Sequence, residues 1–153
     1  MMTGTKKVLF VCTGNSVRSQ MAEGLLNALG SGQWKVQSAG VFPSYVHPLA
    51  IRVMEEIGIN ISQQTSKPVD QFINEKFDDV ITLCDYAAQV CPNFPGQGKR
   101  LHWPFEDPAA AIGTLEERLA VFRRVRDEIR TKMEEFTKSE SSEIPDPIAS
   151  FKF

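Results

Sequence analysis

The chain has 153 residues, of which 42% are hydrophobic and 24% charged, the size and mixture of one ordinary globular domain rather than of a disordered chain. Its longest early apolar run, Val8-Leu9-Phe10-Val11-Cys12, falls far short of the ~20 residues of a membrane helix and of a secretory segment, so a cytoplasmic location is expected. With 17 basic against 19 acidic residues the net charge is −2, which provides no global field for nucleic acid or an anionic membrane. Any anion site must be local.

Lys6 to Val11 reads as a buried strand ending at Cys12, because a short apolar run with β-branched members suits a strand covered on both faces. Met21, Ala22, Leu25, Leu26 and Leu29 then recur at helical spacing, predicting a helix over Ser19–Leu29 with Gly30 as a left-handed stop. A second strand is predicted at Lys35–Ala39 and a second helix from Pro48, with Leu49, Val53, Met54 and Ile57 inward and Gly58 as terminator. Pro68–Phe77 reads as another short helix, and Asp79–Cys84 repeats the buried-strand signature, again ending on a cysteine. A short strand near Arg100–Trp103 precedes a loop from Pro104 to Gly113. Thr114-Leu115-Glu116-Glu117 then forms a capping box for a long helix with the stripe Leu115, Leu119, Phe122, Val125, Ile129, Met133 and Phe136.

The domain is expected to span residues 1–137. Residues 138–153 turn polar and then proline-rich and read as a flexible C-terminal tail, on which Ile148, Phe151 and Phe153 could still dock. Strands alternating with helices predict an α/β fold: a flavodoxin-like open sheet of about four parallel strands with helices on both faces. Such sheets bind ligands at the carboxyl ends of their strands, which puts Cys12 and Cys84 on the functional edge.

Between the first strand and the first helix lies Cys12-Thr13-Gly14-Asn15-Ser16-Val17-Arg18-Ser19. Gly14 and Asn15 tolerate left-handed backbone angles, so the loop can curl until the N–H groups of residues 13–18 point inward and, with the helix N-terminus, cradle a tetrahedral anion. Arg18 adds a planar fork for two of its oxygens. The same donors favour the thiolate of Cys12 at neutral pH, with the Ser19 hydroxyl able to donate to the sulfur. Elsewhere in a sequence, a cysteine and an arginine at this spacing would read as a buried strand end and a solvated helix residue; the strand-to-helix position favours chemistry.

The loop resembles that of the low-molecular-weight protein tyrosine phosphatase family, Cys-x5-Arg-Ser/Thr, whose general acid lies in a distant Asp-Pro that Asp107-Pro108 matches. The resemblance implies Cys12 as nucleophile, Arg18 as oxyanion clamp and Asp107 as proton donor. Taken alone, Asp107-Pro108 could equally be a turn.

Three cysteines are an odd number for a disulfide framework and point to free thiols. Hydrolysis through a cysteinyl intermediate needs one thiol, whereas reducing an oxyanion needs two electrons, most simply from two thiols becoming a disulfide. Cys84 and Cys91, with Thr82-Leu83 before the pair, Pro92 after it, and then His102-Trp103-Pro104-Phe105-Glu106-Asp107-Pro108, resemble the arsenate reductases built on the phosphatase fold. That resemblance implies a Cys12/Cys84/Cys91 thiol-disulfide relay acting on arsenate, recycled by a thioredoxin or glutaredoxin-type reductant, with weak phosphatase activity. The alternatives are a phosphatase whose Cys12 is protected by Cys84, or a non-catalytic oxyanion-binding redox sensor.

A regular helix between Cys84 and Cys91 would hold them about 10.5 Å apart at ~1.5 Å per residue, beyond the ~7 Å limit for bridged Cα atoms, so the segment must unwind on oxidation. Hydrogen-exchange protection over residues 84–98 is therefore expected to differ between the redox forms. The rival readings, two buried structural cysteines or a zinc site with a histidine, are disfavoured by the Cys91-Pro92 loop and by the absence of close ligand spacing. His47 reads as a helix-start or surface residue, and His102 as strand packing rather than a ligand.

Three departures from the relatives stand out. Val17 replaces a further cysteine of several of them. Some of these reductases bind potassium through positions corresponding to Asn15, Glu23 and Ser38 plus an acid, but here that region is Ser66-Lys67 and Lys67 could supply the charge. No organic cofactor is implied. Three alanines follow Asp107-Pro108 where phosphatases of the family carry aromatics, which weakens a purely phosphatase reading.

Overall fold

A computed structural model describes residues 5–96 and 98–141. Four strands, β1 (Lys6–Cys12), β2 (Trp34–Gly40), β3 (Asp79–Thr82) and β4 (Lys99–His102), form one all-parallel sheet in the order β2-β1-β3-β4. The helices are α1 (Arg18–Leu29), α2 (Pro48–Glu55), α3 (Asp85–Val90) and α4 (Leu115–Ser141), with short 3-10 turns at Val69–Phe72 and Pro108–Ala110. This is the expected open α/β sheet, with β1 central and its carboxyl end flanked by those of β2 and β3.

Side chains alternate along a strand, so each parity of β1 marks one face. On one face Phe10 meets Trp103, which packs edge-on against Phe136 of α4. On the other, Lys7 lies over the ring of Phe77, which packs T-shaped against Phe72 and Phe94. The sheet is thus covered on both sides, and Val8, Leu9, Phe10 and Val11 are wholly buried.

Several expectations are corrected. The segment Pro68–Phe77 is helical only as the 3-10 turn Val69–Phe72. Phe77 is drawn into its aromatic cluster and Asp78 N bonds to Lys7 O, which pulls the chain out of any longer helix. Gly30 is right-handed (φ −83°), and the positive angles fall on Ser31 and Gly32. Glycine is required at position 30 for space, since a Cβ there would stand 2.2 Å from Trp34 Cδ1. β3 ends at Thr82, two residues before the expected cysteine, and Cys84 instead caps α3.

Thr114 and Glu117 form the reciprocal capping box ahead of α4. Leu115, expected inward, is exposed because it lies in the first turn, ahead of the buried stripe that starts at Leu119. α4 runs on to Ser141, past the expected domain end at 137, and the remainder of the expected tail, 142–153, lies outside the described residues. No helix among the described residues is long and apolar enough to cross a membrane.

Candidate active site

The loop between β1 and α1 is held from outside by its carbonyls. Those of Cys12, Thr13, Gly14 and Ser16 accept from the backbone N–H groups of Val41, Phe42, Ser44 and His47, and that of Asn15 accepts from Gln20 Nε2. In a trans peptide the following N–H points opposite to its carbonyl, so this outward anchoring turns the N–H groups of residues 13–17 inward. Asn15 takes the left-handed bend (φ 47°); Gly14, expected to share it, does not. A Cβ on Gly40, beside Cys12 in the sheet, would stand 2.8 Å from Asn15 N, so glycine there lets the loop close. Among the described residues no side chain caps α1 at Val17, which leaves its first N–H groups available to an anion.

Cys12 is buried at the loop's base with its Sγ 2.9 Å from Ser19 Oγ. Asn15 Nδ2 donates to Ser19 Oγ at 2.7 Å, so the serine proton is left to point at the sulfur. Arg18, also buried, donates from Nη1 to Phe105 O at 3.2 Å, and its Nη2 lies 3.6 Å from Asp107 Oδ2. Its Nε–H is buried with no hydrogen-bond partner among the described residues, an unspent donor beside the loop. Asp107 is half-exposed, and its Oδ1 caps the 3-10 turn by accepting from Ala109 N at 3.0 Å.

The second and third thiols occupy the two ends of α3, Cys84 as N-cap and Cys91 as C-cap, and all three cysteines are free. Cys84 Sγ is 3.2 Å from Thr13 Oγ1, the residue after Cys12. Cys91 is half-buried, and burial pushes its thiol pKa up, with the nearby Arg100 guanidinium acting in the opposite direction. The structure therefore gathers Cys12, Arg18, Ser19 and Asp107 at one strand edge and ties Cys84 to it through Thr13. Cys91 sits one short helix away.

Asn15, Glu23 and Ser38 do form a connected chain. Asn15 Nδ2 donates to Ser38 Oγ at 2.9 Å, and Ser38 donates to Glu23 Oε1 at 2.6 Å. Burial raises the pKa of Glu23, opposed by the Ser38 hydrogen bond and by Lys67, whose Nζ is 3.9 Å from Glu23 Oε1. A potassium ion here would meet an amide N–H and an ammonium, so these residues do not fit it. Among the described residues, no group of three or more His, Cys, Asp or Glu side chains is placed to hold a metal ion.

His47 is the N-cap of α2, its Nδ1 accepting from Leu49 N at 3.0 Å. Its pKa is lowered by burial and by Arg118, against a smaller pull from Asp107. Three features escaped the sequence reading. Thr13 touches Cys84; Phe42 and Tyr86 stack with centroids 6.2 Å apart, joining the segment beside the loop to α3; and Arg100 and His102 of β4 bond to the ends of α3. The β1–β3 register, Val11 opposite Thr82, is what sets Thr13 beside Cys84, and pairing register is not written in either strand alone.

The family model for low molecular weight phosphotyrosine protein phosphatases matches residues 7–146. An arsenate reductase of Halalkalibacterium halodurans is 52% identical over 134 residues, 88% of this chain and 96% of that protein. A solved structure of an arsenate reductase in the phosphate binding state superposes with a TM-score of 0.76 at 42% identity, covering 88% of this chain and 98% of the other. The thioredoxin-dependent arsenate reductase of Corynebacterium glutamicum superposes with a TM-score of 0.68 at 30% identity, covering 91% of this chain and 63% of that one.

Proposed function

The chain belongs to the low molecular weight phosphotyrosine protein phosphatase family, and we propose that within it this protein reduces arsenate to arsenite with its own thiols as the electron source. The observation that carries the reading is the Thr13–Cys84 contact at 3.2 Å, which sets a second free thiol against the loop that holds the first. The chemistry of hydrolysis uses the first thiol alone, whereas reduction consumes two.

Arsenate binds in the loop on inward N–H groups and the Arg18 fork. The Cys12 thiolate attacks arsenic, a sulfur–arsenic bond forms, and an oxygen protonated by Asp107 departs as water. Cys84 then attacks Cys12 Sγ. A Cys12–Cys84 disulfide forms, the sulfur–arsenic pair passes to arsenic, and arsenic leaves as arsenite, reduced by two electrons. Cys91 attacks Cys84 Sγ, so Cys12 is released as thiolate and the Cys84–Cys91 disulfide remains for a dithiol protein of the thioredoxin or glutaredoxin type.

The relay draws on no metal or organic cofactor, because the electrons come from sulfur. The Lys67 ammonium beside Glu23 supplies internally the positive charge a potassium ion would bring, so turnover is independent of potassium. Free thiols at all three positions suit a reducing compartment such as the cytoplasm. Phosphate shares the charge and shape of arsenate, so slow phosphomonoester hydrolysis accompanies reduction. A binding-only sensor would not need Cys12, Arg18 and Asp107 assembled together.

The test is a single turnover without donor. Reduced protein given arsenate should release one arsenite per chain and lose two thiols, the disulfide mapping to Cys84–Cys91. Cys91→Ser should stop at Cys12–Cys84 with arsenite already released. Arsenite release from Cys84→Ser would refute the relay.

A further inference from the structure

α3 spans only Asp85–Val90, too short to persist as a helix in water on its own. Both of its ends are held from one strand. Arg100 and His102 lie two residues apart on β4 and so project from the same face. Arg100 Nη1 and Nη2 donate to Cys91 O at 3.2 and 3.4 Å, and Nη2 also donates to Pro92 O at 2.5 Å. At the other end His102 Nε2–H donates to Asp85 Oδ1 at 2.9 Å, while its Nδ1, 2.8 Å from Thr82 Oγ1, fixes the ring.

The two thiols cap this same helix, and a helix holds them about 10.5 Å apart where a disulfide tolerates ~7 Å. Forming the disulfide therefore breaks α3 and the end contacts that depend on its shape. Interactions present in the dithiol form and lost in the disulfide stabilise the reduced side of the couple, making the disulfide a stronger oxidant.

We infer that Arg100 and His102 are positioning residues of the Cys84–Cys91 couple, which by gripping α3 only in its dithiol form raise the couple's reduction potential and make its disulfide easier for the donor to reduce. The inference rests on the relay proposed above and assigns neither residue a contact with substrate. The Arg100 end dominates. Its guanidinium is half-buried and reaches two backbone carbonyls, whereas Asp85 is exposed and meets His102 through a single bond.

The experiment equilibrates the full chain and its variants in dithiothreitol redox buffers, traps them by alkylation, and quantifies the Cys84–Cys91 disulfide by peptide mass. Arg100→Met should lower the dithiol-to-disulfide ratio at fixed buffer about tenfold, equivalent to about 30 mV toward the reducing side; His102→Ala should lower it about threefold, and Arg100→Lys should fall between wild type and Arg100→Met. Denaturant unfolding of the reduced Arg100→Met and His102→Ala proteins should weaken by the same factors, with the oxidised proteins unchanged. A merely structural role would weaken both forms equally and leave the ratio where it was. Ratios within about twofold of wild type in both variants would overturn the inference. If that happened in an enzyme that still requires Cys84 and Cys91, only the roles of Arg100 and His102 would fall, not the relay.

Discussion

Arg18→Lys keeps the positive charge and removes the fork. In the protein Arg18 Nη1 donates to Phe105 O at 3.2 Å, Nη2 approaches Asp107 Oδ2 at 3.6 Å, and the buried Nε–H has no partner among the described residues. With an anion in the loop, Nε and Nη2 present two parallel donors, of which a lysine reproduces one. A hydrogen bond to a charged group is worth about 1.5–3 kcal/mol, and one oxyanion-hole donor about 2.7–4 kcal/mol in a transition state. At about 1.36 kcal/mol per decade, a loss of roughly 2–4 kcal/mol lowers kcat/KM by about 30- to 1000-fold. The assay is initial rates of arsenate reduction with saturating donor beside hydrolysis of an aryl phosphate. Both reactions use the same cradle, so both should fall by the same factor. A drop below about fivefold, or a drop in one reaction only, would refute the assignment of Arg18.

Asp107→Asn should lower hydrolysis of aryl phosphates with poor leaving groups by about 10²–10⁴ and spare good leaving groups; equal losses across a leaving-group series would remove Asp107 as proton donor. For Glu23, whose pKa burial raises, the associated stability is fully present below the unfolded value and lost as pH rises through the folded one. Lys67→Met removes one of the two pulls that oppose that rise. Its denaturant stability should therefore decline more steeply than wild type as pH rises above the ordinary carboxylate range, and parallel curves would contradict the pairing. Gly30→Ala places a Cβ 2.2 Å from Trp34 Cδ1 and 2.7 Å from Leu26 O, which should cost about 1–3 kcal/mol in unfolding without slowing turnover at 25 °C; an unchanged Tm would disprove the clash.

The strand-helix alternation and the loop were legible because both rest on local rules. The run Val8–Cys12 can only be buried, and a cysteine and arginine bracketing Gly14 and Asn15 at a strand end leave little else to build. What was not legible depended on contacts distant in sequence. Pro68–Phe77 carries helical starts and spacings, but Phe77 joins Phe72 and Phe94 and the helix shortens to one turn. Gly30 is the local exception: it looked like a left-handed stop, yet its lack of a side chain serves the indole of Trp34, four residues on. The cysteines were plain, whereas their supports, Thr13 for Cys84 and Arg100 for Cys91, came from strand register and from a strand outside the motif.

The central claim, that Cys84 takes electrons from the arsenic-bearing Cys12, is tested most directly by the Cys84→Ser variant in two assays on one preparation. NADPH consumption driven by arsenate through a thioredoxin system should vanish, while hydrolysis of an aryl phosphate should persist at the wild-type rate. Arsenate-driven NADPH consumption that survives the substitution would contradict the account.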